Sequence, residues 1–259
     1  MGMTKILHLK KSNLPNLRRK RNNSQSLIKH IGIVACSAEG AALCYQTICK
    51  EATEVMGRHN HPEISMHTHS LSKYMDCIYK NDWDGVAQLM LSSAKKLEIA
   101  GASFLICPDN TIHQAFPAIR KESALPWLHI AEEVTKLIIR QKYSRVLVLG
   151  TKYLMTGPVY AEVFEREEIE YLIPDEKTRN QIDRIIMDEL VNGIIKDESK
   201  KFFLQVINDF KLTGCNAVVL GCTEIPLIVL PADSPLPVLD STRILARAAI
   251  KEALPYSVG

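Results

Sequence analysis

Ala217-Val218-Val219-Leu220-Gly221-Cys222-Thr223-Glu224-Ile225-Pro226 is the stretch from which the fold is read. Four small or branched apolar residues in a row predict a short strand buried on both faces, as in a parallel sheet. The run then turns polar within two residues, at what becomes the carboxyl end of that strand. Phe104-Leu105-Ile106-Cys107 followed by Pro108-Asp109-Asn110-Thr111 repeats the arrangement in the first half. Open α/β sheets bind ligands beyond the carboxyl ends of their strands. Two such strand ends in similar surroundings predict one site built between two halves.

The flanking sequence fits that plan. Strands are expected at 30–36, 63–68, 103–107, 145–149, 170–173, 217–220 and 236–239. Helical spacing covers 38–55, 83–99, 126–141, 156–166, 176–190, 198–211 and 241–254, with Gly101 and Gly214 as C-caps. Strand–helix–strand alternation at this spacing predicts parallel sheets joined by right-handed crossovers.

Charge is unevenly placed. The net charge is +3, yet residues 1–29 hold eight Lys or Arg and no acid, so the remainder carries −5. A mildly acidic body excludes a nucleic-acid footprint over the fold. The basic segment, with Arg18-Arg19-Lys20-Arg21, reads as an extension, disordered or of targeting type. No apolar run approaches the roughly 18 residues that span a bilayer, so no membrane association is expected. Seven cysteines, an odd number spread through periodic segments, argue against a disulfide framework and for a reducing, cytoplasmic compartment.

Cys222 follows a strand and precedes a sequence that reads as a helix start, with Thr223 as N-cap and Pro226 in the first turn. A thiol at the positive end of a helix is expected to ionise easily. In the first half, Asn110 and Thr111 offer short donors suited to a carboxylate, and Asp109 a base; a capping loop uses the same residue types. His59, His61, His67 and His69 lie close together but lack metal-site spacing, and no glycine-rich phosphate loop supports a nucleotide cofactor.

These residues resemble the aspartate/glutamate racemase superfamily, which carries a Cys-Asn-Thr-x-His run in its first half and Gly-Cys-Thr-Glu in its second. The likeness spans His30 to Leu254. It includes Gly150-Thr151-Lys152, Gly157-x-x-Tyr160, Gly221-Cys222-Thr223-Glu224-x-Pro226 and Asp240-Ser241-Thr242; Ala35-Cys36-Ser37 matches the family's first turn loosely. The resemblance implies two pseudo-symmetric parallel-sheet α/β domains with the active site between them. Residues 30–125 with 237–259 would form one domain and 126–236 the other. It also implies an isomerase without metal or pyridoxal phosphate, commonly a homodimer, with a small amino acid as substrate and aspartate or glutamate as the default. Carried over, Cys222 is one acid/base and Glu224 supports it. Asn110, Thr111 and Thr223 hold the α-carboxylate, and Tyr160 belongs to the substrate site.

Two departures stand out. The family's first cysteine aligns with Asp109, while Cys107 lies two residues earlier; Asp109 is therefore the expected partner of Cys222 and Cys107 the second choice. A carboxylate facing a thiol makes an asymmetric pair. Acidic-amino-acid racemases of the family tend to carry Lys two residues after the tyrosine; here Glu162 stands there, and Lys73, approaching from the second strand, is the candidate compensation. Maleate-isomerase-like or malonate-decarboxylase-like chemistry, and a non-catalytic amino-acid or dicarboxylate binder, are the rival readings.

Overall fold

The computed structural model describes residues 28–255, so the basic segment lies almost wholly outside the described residues. The elements run β1 (Ile31–Ala35), α1 (Ala38–Met56), β2 (Ile64–Thr68), α2 (Leu71–Tyr79), α3 (Trp83–Ile99), β3 (Phe104–Ile106), α4 (Phe116–Glu122), β4 (Trp127–Leu128) and α5 (Ile130–Gln141). They continue with β5 (Arg145–Leu149), α6 (Lys152–Thr156), α7 (Pro158–Arg166), β6 (Glu170–Leu172), α8 (Glu176–Asp188), α9 (Asp197–Leu212), β7 (Ala217–Leu220), β8 (Val238–Asp240) and α10 (Ser241–Ala253).

All strand pairs are parallel. The first sheet has the order β2-β1-β3-β4 and the second β6-β5-β7-β8, the same order repeated. The strands buried along their whole length, β1, β3 and β7, carry no polar side chain. In each sheet the chain leaves the first strand toward one edge and later builds toward the other. The crevice between β1 and β3, and between β5 and β7, is thus a topological switch point.

Several elements differ from expectation for identifiable reasons. The helix expected over 126–141 begins only at Ile130. The Pro126 carbonyl accepts from the Leu105 amide at 2.8 Å, and Trp127 and Leu128 pair with Leu105 and Ile106. The helix expected from Thr156 is broken at Gly157, where an added Cβ would lie 2.5 Å from the Tyr153 carbonyl oxygen. Pro158 then opens α7, where its missing N–H costs nothing. The helix expected at Thr223 is only a short 3₁₀ turn, Ile225–Leu227. Strand membership also moves the expected divisions: residues 127–128 are in the first sheet and 238–240 in the second.

The two halves are tied by their last helix. After β8 completes the second sheet, α10 packs along α1 and α5. Its Leu245, Ala246, Ala249, Ile250 and Ala253 share a core with Ile31, Ile33, Cys44 and Ile48 of the first half. The Lys29 amide donates to the Ala253 carbonyl at 2.8 Å. Among the described residues, no helix is long and apolar enough to cross a membrane.

Candidate functional site

The carboxyl ends of the four central strands meet at one cavity of about 580 Å³. Cys36 and Ser37 follow β1, Asp109 to Thr111 follow β3, Thr151 follows β5, and Gly221 to Glu224 follow β7; all of them line it. Both polar runs singled out in the sequence therefore reach the same space, one from each half.

In the first half the start of α1 holds the Asp109 carboxylate. Ser37 caps α1, its Oγ accepting from the Gly40 amide at 3.3 Å, and its own N–H donates to Asp109 Oδ2 at 3.1 Å. Burial nevertheless pushes the Asp109 carboxyl up to about 7, and the nearby Glu224 charge adds to the rise; the Ser37 N–H holds it back. Asn110, itself buried, accepts from the Tyr160 hydroxyl at 2.8 Å and donates to Ser241 Oγ at 2.9 Å. Ser241 Oγ donates onward to the Leu220 carbonyl at 2.9 Å, just ahead of Gly221. The amide of Asn110 has a second N–H to offer a carboxylate in the cavity. Thr111 Oγ1 lies 3.2 Å from Thr151 Oγ1, a polar contact from one half to the other. Below the loop, the His113 ring nitrogen Nε2 is 2.9 Å from the Cys107 carbonyl, bracing the turn that carries Asp109 and Asn110.

In the second half, the Cys222 thiol donates to Glu224 Oε2 at 2.8 Å. Burial, with the Glu224 charge next, pushes this thiol well above the ordinary cysteine range, and the Asp109 charge acts in the same sense. The expectation of an easily ionised thiol at a helix N-terminus is overturned. No regular helix starts there, and the nearest charge is a carboxylate. Thr223 is buried and lines the cavity but caps nothing.

Four further expectations meet the structure differently. Cys107 is fully buried and does not line the cavity; its thiol points at the Asp109 carbonyl oxygen, 3.8 Å away, so Asp109 and not Cys107 stands in the wall. Tyr160 is buried behind Asn110 and acts on the site through it. Lys73 is on α2 and exposed, not on the second strand, and it does not line the cavity. Glu162 lies on an exposed face of α7, also outside the lining, which removes the repulsion expected of it. Of the clustered histidines, His67 is taken up by Ser93 Oγ and Lys96 Nζ, each at 2.9 Å.

The sequence reading missed Ser37, Thr151 and Ser241 as parts of the site. The first two carried a legible signal, a hydroxyl residue immediately before a helix. It also missed α2, and it expected α8 as a helix without placing it at the site; residues of both close the outer part of the cavity.

Comparison with known proteins bears on the family and the fold. The family model for Asp/Glu/hydantoin racemases matches residues 31–249. The broad specificity amino-acid racemase RacX of Bacillus subtilis (strain 168) is 25% identical over 178 residues, 68% of this chain and 75% of that protein. The crystal structure of a Yersinia pestis protein assigned to the Asp/Glu racemases is 32% identical, with a TM-score of 0.81, over 88% of this chain and all of that one. An aspartate racemase homologue from Pyrococcus horikoshii OT3 is 29% identical, with a TM-score of 0.77, over 87% of this chain and 99% of that one.

Proposed function

The chain belongs to the Asp/Glu/hydantoin racemase family and is accordingly an isomerase; from that premise we propose that it inverts amino acids at Cα by two-base proton transfer between Asp109 and Cys222. The observation that carries this reading is that a carboxyl raised to about 7 and a protonated thiol reach one cavity from different halves of the molecule. A base with a pKa near the working pH is the one that transfers protons best.

The populated resting pair is then Asp109 carboxylate with Cys222 thiol. Asp109 removes the Cα proton of one enantiomer. The charge that develops on the substrate carboxylate is met by the Asn110 amide and the Thr111 and Thr223 hydroxyls, already in place before reaction. The Cys222 thiol delivers its proton to the other face. Asp109 is left protonated and Cys222 as thiolate beside Glu224, a costly arrangement that favours recovery of the proton from solvent. The opposite enantiomer starts from that less populated state. Because racemisation has an equilibrium constant of one, both directions share one kcat/KM, and the asymmetry shows as kcat and KM moving together.

Incubating single enantiomers in heavy water tests the reading. Deuterium should enter at Cα, and Cys222→Ala should abolish the exchange. Full exchange by that variant, or none by the parent with any common amino acid, would sink it. Glu162, whose departure from the family pattern kept the maleate-isomerase-like and malonate-decarboxylase-like readings open, gives them no support from its exposed position on α7.

A further inference from the structure

We propose that the substrate's side chain is apolar or aromatic and lies in the outer part of the cavity, between α2 and α8. The inference rests on the racemase reading and deepens it by naming the substrate class. Beyond the strand ends, the first half contributes Leu71, Met75 and Tyr79 from α2. The second contributes Tyr153 from α6, Met187 from α8 and Val191 just after it. The Tyr79 and Tyr153 rings, one from each half, approach with centroids 6.5 Å apart. Met187, Val191 and Cys222 pack against the same buried cluster, so the apolar wall is continuous with the reactive thiol.

Charge in this outer part argues against a second carboxylate on the substrate. The cations are Lys152 and Arg184, and the anions are Glu39, Asp183 and Asp188. Lys152 already faces Asp183, with Nζ to Oδ2 at 3.8 Å, and Arg184 is exposed on α8. An aspartate or glutamate side chain would leave water for a wall that is apolar or net acidic, where the one lining cation without an ion pair among the described residues, Arg184, is itself exposed to water and screened by it. The volume of about 580 Å³ lies within the roughly 300–1,000 Å³ common for small-molecule pockets. The carbon skeleton of aspartate leaves much of that space unfilled.

The test compares Cα deuterium exchange on L-methionine, L-leucine and L-phenylalanine with that on L-aspartate and L-glutamate, using the full chain. At least one apolar substrate should exceed both acidic ones in kcat/KM by about tenfold or more, the scale on which side-chain fit discriminates. Met75→Lys and Met187→Lys should each shift the ratio of acidic to apolar turnover toward the acidic substrates by about tenfold. A parent enzyme that prefers aspartate or glutamate overturns the proposal and leaves the racemase reading intact. Calorimetric binding to Cys222→Ala separates the two further. If no amino acid exchanges but L-methionine binds more tightly than L-aspartate, the reaction is wrong and the side-chain class stands. If L-aspartate binds more tightly, the proposal falls with it.

Discussion

Asp109 is held in a position that costs the fold stability once its carboxyl ionises and that, on the proposed mechanism, serves the chemistry. Its carboxyl has an ordinary value of 3.8 and rises to about 7 in the folded chain. The folded state therefore binds the proton more tightly than the unfolded one. The stability this provides is complete below about pH 3.8 and is lost as pH rises to about 7. Asp109→Asn should consequently raise the melting temperature at pH 8 by about 2–4 °C or more, which is about 1 kcal/mol for a chain of this size, and by less at pH 5. The same substitution should lower exchange by about 10²–10⁴-fold. Scanning calorimetry at the two pH values, set beside the exchange rate, checks both. In the parent, kcat/KM for exchange should climb with pH and level off above about 7, as the carboxylate form fills; a profile flat from pH 5 to 8 would contradict the role of Asp109 as base. Tyr160 works one step away. Tyr160→Phe leaves the buried Asn110 carbonyl without its 2.8 Å partner and should cost about 1–3 kcal/mol of stability. It should also lower kcat/KM about tenfold, chiefly through KM, because the amide that meets the substrate carboxylate in the proposed mechanism loses its orientation. Steady-state kinetics with a urea titration separates the two effects.

Among the elements, α1 is tied most closely to the site. Gly40 sits in its first turn, and a Cβ there would lie 2.7 Å from Thr223 Cγ2 and 2.8 Å from Ser37 Oγ. Alanine in a helix normally stabilises by roughly 0.5–1 kcal/mol over glycine. Here Gly40→Ala should destabilise instead and reduce exchange by about tenfold or more, because it drives Thr223 and the Asp109-bearing Ser37 cap apart. A melting temperature above the parent's would contradict this. The strands and the long helices were readable from local pattern because their apolar periods are set by burial on known faces. The misreadings came where a non-local partner decided the outcome. Trp127 and Leu128 are a strand only because Leu105 and Ile106 lie beside them. Thr223 looks like a cap, but the chain after it makes one 3₁₀ turn and no helix. The pattern of α2 was present, with Leu71, Tyr74, Met75 and Ile78 at helical spacing, and went unread among its polar neighbours. Asp109, Asn110, Thr111, Cys222 and Thr223 were legible because they interrupt apolar strands. Lys73 was misplaced because α2, which carries it on an exposed face, went unread and the residue was referred to the second strand instead.

Across the whole molecule, the parallel α/β class and the paired strand ends followed from sequence, whereas the route of the last helix did not. No local signal says that α10, leaving the second sheet, will cover the first. That route makes the halves one cooperative unit. Leu245 is fully buried in the core that α10 shares with β1 and α1. Leu245→Ala should cost about 2–5 kcal/mol and lower one common transition in calorimetry. Two separated transitions would show that the halves melt independently. The contact of Lys29 with Ala253 has another consequence. Residues that are far apart in the chain end up as neighbours, so the order in which a gene encodes the two halves is not dictated by their packing. A permuted gene that begins at Tyr143, after the left-handed turn at Lys142, and joins residue 253 to residue 29 by a short flexible linker would encode the second half first. It would still bring the same four strand ends to the same cavity.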